Sequence, residues 1–318
     1  MHDATRNMAW AIVVADERRP EWVPHSALEL KSVPVQYCRL GESVSLFQRA
    51  LHRAASLVSA SRVLAVALQE HRARWETYTW FVRPFMRFIS DEDVAPHVAS
   101  AAAILSIAER SPSNIITILP ARSYVAHESV LKEALEQVLM KLPDIPEGVA
   151  TLGMADIDEA VDEDYLLLCR KATGPGLGVN GIVRRPTSWV ARHLRRQGAV
   201  VASGILVGYA GAFAAHLSKH WPGVTARLLK VYRSSMAAQS ECRISKSVIQ
   251  SVPGPILRGM RWDAPAFPQR VFTVGQCGWS GLKSPHEVAR IAEFLSSSAS
   301  YQRSNQFGAS GASEWSGL

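Results

Sequence analysis

Cysteine is sparse and scattered in this chain. Cys38, Cys169, Cys242 and Cys277 are the only four, and no two of them form a C-x-x-C pair. That spacing excludes a zinc ribbon or a vicinal dithiol redox centre. An apolar leader is missing as well, because Met1–Ala9 holds no hydrophobic stretch of the signal-peptide kind. Both absences fit a reducing compartment, and a cytoplasmic protein is the expectation. Long uncharged runs are rare too. Gly198–Ala215 carries no charge and approaches the length of a membrane span. Gly198, Ser203, Gly204, Gly208 and Gly211 interrupt it, so it reads as a buried strand followed by a helix and gives no membrane association.

Other absences remove whole classes of chemistry. Ser203 sits in no G-x-S-x-G elbow, so serine hydrolysis has no support. The six carboxylates of Asp156–Asp164 lack EF-hand spacing and read as a solvated loop. GPGLG at Gly174–Gly178 opens no helix and reads as a turn between strands. His71, His97 and His127 have no partner at ligand spacing and read as structural or exposed. The net charge of +7 suits an anionic ligand. Its Arg residues are dispersed, however, and no helix-turn-helix, zinc or aromatic-stacking motif accompanies them. A basic nucleic-acid-binding protein therefore rests on net charge alone.

What is present is a rhythm of short apolar runs and longer amphipathic periods. With 318 residues and 47% hydrophobic content, the chain can bury one large core or two modest ones. Trp10–Val14, Val63–Leu68 and Ile115–Leu119 read as buried strands. Leu46–Leu57, His71–Phe81, Ala95–Arg110 and Glu128–Leu142 read as helices. The second half continues with strands at Val149–Leu152, Tyr165–Cys169, Val179–Arg184 and Val200–Tyr209. Helices are expected at Ser188–Gln197, Gly211–Lys219, Val224–Met236 and Ser284–Leu295, the last opened by a Ser-Pro cap. In the first of these, Trp189 and Leu194 are expected to pack inward, with Arg192, Arg195 and Arg196 outward. Such alternation indicates an α/β protein with a mainly parallel mixed sheet flanked by helices. Ligands of such sheets bind at the carboxyl ends of the strands. That places Ala15–Pro20, Pro120–Ser123 and the residues after Val183 on one edge. From Ser296 onward the Ser- and Gly-rich composition cannot bury enough surface to fold, so 296–318 is expected to be a disordered tail.

Seven stretches in order carry a resemblance: WAIVVA at the start, VPVQYC around Pro34–Cys38, SLFQRALHRA at Ser45–Ala54, AERSPSNIITILPARSYV, IVRRP at Ile182–Pro186, GAVVASGILV at Gly198–Val207 and GWSGLKSP at Gly278–Pro285. Together they resemble the sugar-phosphate nucleotidyltransferase family, in particular bacterial mannose-1-phosphate guanylyltransferases, over about Ala9–Leu295. The resemblance implies a Rossmann-like nucleotide-diphospho-sugar transferase fold in residues 1–295, with a nucleotide-side half near 9–150 and a sugar-side half near 151–295. It implies joining of GTP to mannose-1-phosphate with release of pyrophosphate, by in-line attack that depends on positioning and charge neutralisation. Mg²⁺ held by two aspartates is the cofactor such a reaction uses.

The charged stations of that pattern are replaced here. Asp16-Glu17-Arg18-Arg19 stand where the family has a glycine loop, and Val35 stands where it has a lysine. Arg122 takes the place of the aspartate of P-S-D-H, and Gly281 that of W-S-D-L-G. Arg184-Arg185 replace Glu-Lys before Pro186, and Ala202 an asparagine. The resemblance thus yields Arg18, Arg19, Arg122 and Arg185 as candidates for nucleotide or phosphate binding. Ser203 and Gly204 are the sugar-side candidates, and no residue is assigned to catalysis or metal. A pseudoenzyme that binds GTP, GDP-mannose or a related sugar nucleotide is the leading expectation. A working guanylyltransferase with an altered Arg-rich site, using Mg²⁺ if active, is the alternative; neighbouring carboxylates, Asp16 or Asp263 for example, are candidates to rebuild a metal site.

Overall fold

The computed structural model describes residues 8–15, 33–40, 43–78, 86–91, 94, 96–155, 157, 162–169, 174–235, 241–249, 269–284 and 286–297. The chain opens with β1 (Ala9–Ala15), whose residues are nearly all buried. Such a strand is apolar on both faces because helices cover both sides of the sheet. α1 (Leu46–Leu57) follows, started by a capping box: Ser45 Oγ accepts from the Gln48 N–H, and Gln48 Oε1 accepts from the Ser45 N–H. Its Phe47, Ala50, Leu51 and Ala54 face the core, as the period requires.

Next come β2 (Val63–Leu68), α2 (Arg72–Tyr78), β3 (Met86–Ser90) and α3 (Pro96–Arg110). α3 presents Ala99, Ala101, Ala102 and Ala103, all fully buried, so small side chains let it lie close against its neighbours. Then follow β4 (Ile115–Pro120), the two-residue β5 (Tyr124–Val125) and α4 (Glu128–Lys141). The later part runs β6 (Val149–Met154), β7 (Tyr165–Cys169), β8 (Leu177–Val183), α5 (Ser188–Arg196), β9 (Val200–Tyr209), α6 (Ala210–His220) and α7 (Pro222–Ser235). β10 (Glu241–Ile244), a one-turn helix at Lys246–Ile249, β11 (Gln269–Val274), β12 (Trp279–Ser280) and α8 (286–297) follow.

Ten strands form one sheet in the order β10-β3-β2-β1-β4-β9-β6-β11-β8-β7. β10 through β4 are mutually parallel, while β9 runs antiparallel between β4 and β6. Successive side chains of β1 go to opposite sides, with Ala11 and Val13 toward α1 and α4, and Ile12 toward α3, α6 and α7. The expected α/β architecture is therefore present. Gly198–Ala215 divides between β9 and α6, and among the described residues no helix is long and apolar enough to cross a membrane.

Four readings change. Met86–Ser90, Glu241–Ile244 and Gln269–Val274 are strands that no apolar run announced, because Arg87, Arg243 and Arg270 interrupt them. Trp189 does not pack inward: it is 74% exposed and stacks on His193, while Ala191 and Leu194 supply the buried side of α5. Arg195 is half-buried rather than outward, because its guanidinium donates to the Ile157 carbonyl. α8 runs to 297 and so takes in the first two residues of the expected tail; 298–318 lie outside the described residues.

Candidate functional site

The two stations that lost their aspartates are distant in sequence and adjacent in space. β5 and β12 form a small antiparallel pair, Trp279 opposite Val125 and Ser280 opposite Tyr124. This register sets Arg122 beside Gly281. Gly278 makes the approach possible: its φ is 60°, and a Cβ there would lie 2.6 Å from the Ala126 Cβ. Only glycine tolerates both conditions. The pairing is braced from behind by Arg49, which donates to the Val125 carbonyl and stacks over the Tyr124 ring at 4.7 Å.

Arg122 closes the join. Its Nε donates to the Gly281 carbonyl at 2.9 Å, and Nη2 donates to the Leu282 carbonyl. Leu282 is buried and held in the left-handed region, φ 51°. A guanidinium bridging two carbonyls of that turn offsets a conformation that costs a non-glycine residue on the order of 1 kcal/mol. In this structure Arg122 straps one station to the other.

A cavity of about 320 Å³ opens at this join, next to the carboxyl end of β4. That volume lies at the small end of ligand sites, which run from roughly 300 to 1,000 Å³. Ile118, Leu166 and Leu206 give it apolar lining, and Ser203 and Gly204 line it from β9. Gly204 has φ 75° and faces the Pro120 ring, where a Cβ would meet Cγ at 3.0 Å. It marks the irregularity where the β6–β9 register shifts. The Ser203 hydroxyl is engaged within this irregularity, donating to the Leu152 carbonyl at 2.7 Å and accepting from the Ile205 N–H at 3.0 Å.

The charged lining is where sequence reasoning missed most. Glu163 and Asp164, assigned to a solvated loop, are 0% and 7% exposed and line the cavity. Lys283 Nζ lies 2.6 Å from Glu163 Oε2. The contact is an ion pair without hydrogen-bond angles, and among the described residues Oε1 meets no donor. Burial pushes the Glu163 carboxyl up to about 7 against the opposing pull of Lys283 and Arg122. Asp164 accepts from the Arg185 N–H at 3.2 Å and pairs with Arg184 at 3.4 Å. His97, read as structural or exposed, also lines the cavity from the first turn of α3.

The candidates therefore separate. Arg122, Ser203 and Gly204 come together at the cavity. Arg185 is exposed at its edge, in the left-handed region with φ 39°, and reaches the site through its backbone. Arg18 and Arg19 lie outside the described residues, as do Asp16, Glu17 and Asp263.

Mg²⁺ asks for an octahedral shell of hard oxygens, usually anchored by one or two carboxylates. The described residues do not fit it. One station presents a guanidinium, and the other a glycine. The carboxylate nearest to them is buried and already paired with an ammonium. Among the described residues no three His, Cys, Asp or Glu side chains converge as a metal cluster.

No protein-family model matches the chain, and no curated protein sequence matches it. Solved structures do. Mannose-6-phosphate isomerase from Helicobacter pylori aligns at TM-score 0.61 and 17% identity, covering 86% of this chain and 99% of that one. Mannose-1-phosphate geranyltransferase from Thermus thermophilus aligns at TM-score 0.60 and 18% identity, covering 86% and 76%. HddC from Yersinia pseudotuberculosis, solved with GMP-PN, aligns at TM-score 0.51 and 10% identity, covering 90% and 99%. At these identities the likeness is one of fold. The chain shares the mixed α/β fold of these structures, a Rossmann-like sheet flanked by helices.

Proposed function

We propose that this chain is a pseudoenzyme of the mannose-1-phosphate guanylyltransferase type, which keeps a cavity for a nucleotide or sugar nucleotide and has lost most or all transfer chemistry. The observation that carries this reading is the double replacement at the join of β5 and β12. Arg122 binds the carbonyls of Gly281 and Leu282 in the place of one aspartate, and Gly281 itself stands in the place of the other. Two unit charges about 4 Å apart interact by roughly 4 kcal/mol at a near-surface effective dielectric of about 20. Exchanging a carboxylate for a guanidinium reverses the sign of that interaction toward a divalent cation and removes a ligand.

The nucleotide-side half, 9–150, supplies Arg122, and the sugar-side half, 151–295, supplies Ser203, Gly204 and Lys283. A ligand between them would be a phosphorylated sugar or its nucleotide, in keeping with the chain's positive charge. The cytoplasm, where such ligands meet free thiols like Cys38, is the compartment that goes with this reading.

Two measurements test it together. Full-length protein with GTP, mannose-1-phosphate and Mg²⁺ is expected to release no pyrophosphate above background. Its Tm is expected to rise with millimolar GTP or GDP-mannose, since a ligand of the native state alone stabilises it by mass action. Turnover that Arg122→Ala abolishes would establish the active, Arg-rich alternative instead. No Tm shift with either ligand would remove the binding half of the proposal.

A further inference from the structure

A carboxylate does occupy the second station, delivered from elsewhere in the chain. A Cβ built on Gly281 would sit 2.0 Å from Glu163 Oε1 and 2.8 Å from its Cδ. The Glu163 carboxylate thus fills the volume in which an aspartate at 281 would begin. It arrives from the segment before β7, is fully buried, and meets Lys283 Nζ at 2.6 Å. Lys283 itself is 35% exposed at the side chain and lines the cavity. An ammonium has three donors; with one side turned to Glu163, the others can serve a ligand. Arg122 and Lys283 bring two cations to the cavity wall beside Glu163, while Glu287 accepts from the Lys283 backbone N–H.

We propose that the Lys283 ammonium, seated on Glu163, stands in the position of the divalent cation, and that the cavity takes the phosphate group of a phosphorylated sugar or nucleotide without metal. The inference rests on the sugar-nucleotide reading above and adds the identity of the cation. Lysine acts here as a fixed point charge on the phosphate, while Glu163 holds the ammonium in place and Arg122 adds a second positive charge to the same wall.

Calorimetric titration of the full-length protein tests this with mannose-1-phosphate, inorganic pyrophosphate and GDP-mannose, each in EDTA and in millimolar Mg²⁺. At least one phosphate probe is expected to bind in EDTA, with Kd within about twofold of its value in Mg²⁺, and to weaken as salt rises. Lys283→Met alone would strand a buried carboxylate. The charge-neutral pair Lys283→Met with Glu163→Gln is therefore the decisive variant, and it is expected to lose at least about tenfold in affinity. Binding that requires Mg²⁺, or a double variant that binds like the wild type, would overturn the assignment. If mannose-1-phosphate or pyrophosphate binds in EDTA and GDP-mannose does not, the sugar-nucleotide reading fails while the Lys283 assignment stands. If GDP-mannose binds only with Mg²⁺, the assignment fails and that reading stands. No heat from any probe overturns both.

Discussion

The two sides of the join between β5 and β12 hold their charges in different ways. On one side Arg122 is half-exposed and donates to neutral carbonyls of Gly281 and Leu282. On the other, Glu163 is wholly buried, with Lys283 as its ion-pair partner. The first is a strap whose strength barely depends on protonation. The second is electrostatically stressed, because taking a carboxylate out of water costs several kcal/mol that one part-exposed ammonium offsets only in part. One replacement stabilises the turn; the other stores a titratable charge inside it.

The largest effect that separates the two sides is steric. Gly281→Asp places a Cβ 2.0 Å from Glu163 Oε1 and a second negative charge beside it. It is expected to cost at least about 4 kcal/mol in urea denaturation, the range of overpacking plus an unpaired buried charge. A cost below about 1 kcal/mol would mean that Glu163 does not fill that space.

Protonation gives the next effect. The Glu163 carboxyl is raised from 4.5 to about 7, so between those values the native state holds a proton that the unfolded chain does not. Its contribution therefore favours folding below about pH 4.5, declines as pH rises to about 7, and is level above that, a loss of about 3 kcal/mol. Lys283, Arg122 and Glu287 are the charges that act on it. His216 runs the other way: burial lowers it from 6.5 to about 4, so its contribution grows with pH across that interval. The comparison with Glu163→Gln isolates the carboxylate. The variant is expected to gain about 3 kcal/mol on the wild type between pH 5 and pH 8, and equal pH slopes would contradict this.

Arg122→Ala should be milder. Removing charged donors from the carbonyls of two buried residues costs about 2 kcal/mol. It should leave a pH slope at least as steep as the wild type's, since Arg122 is one of the charges holding the Glu163 carboxyl down. The smallest effect belongs to Trp189, exposed on α5 and away from the cavity lining. Trp189→Ser is expected to stay within about 0.5 kcal/mol of wild type, and a larger loss would show that α5 packs against something.

Much of the framework was legible from local pattern. Leu46–Leu57, Val63–Leu68, Tyr165–Cys169 and Val200–Tyr209 lie where their apolar patterns put them. The strands that were not legible, such as Glu241–Ile244, are short and alternate with charge, and β10 closes the sheet at its edge. At the site, Arg122 and Gly281 stood out against the family pattern. Glu163 did not, since five other carboxylates surround it in sequence and its partner Lys283 lies far along the chain. The available signal was its place immediately before a buried strand, where a charge has little room to reach solvent. Burial of Trp189 was expected from residue type alone, and α5 meets its core with Ala191 and Leu194 instead.

Glu163 holds the space that an aspartate at 281 would need. A double-mutant cycle in urea, comparing Gly281→Asp, Glu163→Ala and both together, measures it directly. Glu163→Ala is expected to rescue most of the stability lost by Gly281→Asp, with a coupling of at least about 2 kcal/mol. Additive losses from the two substitutions would contradict it.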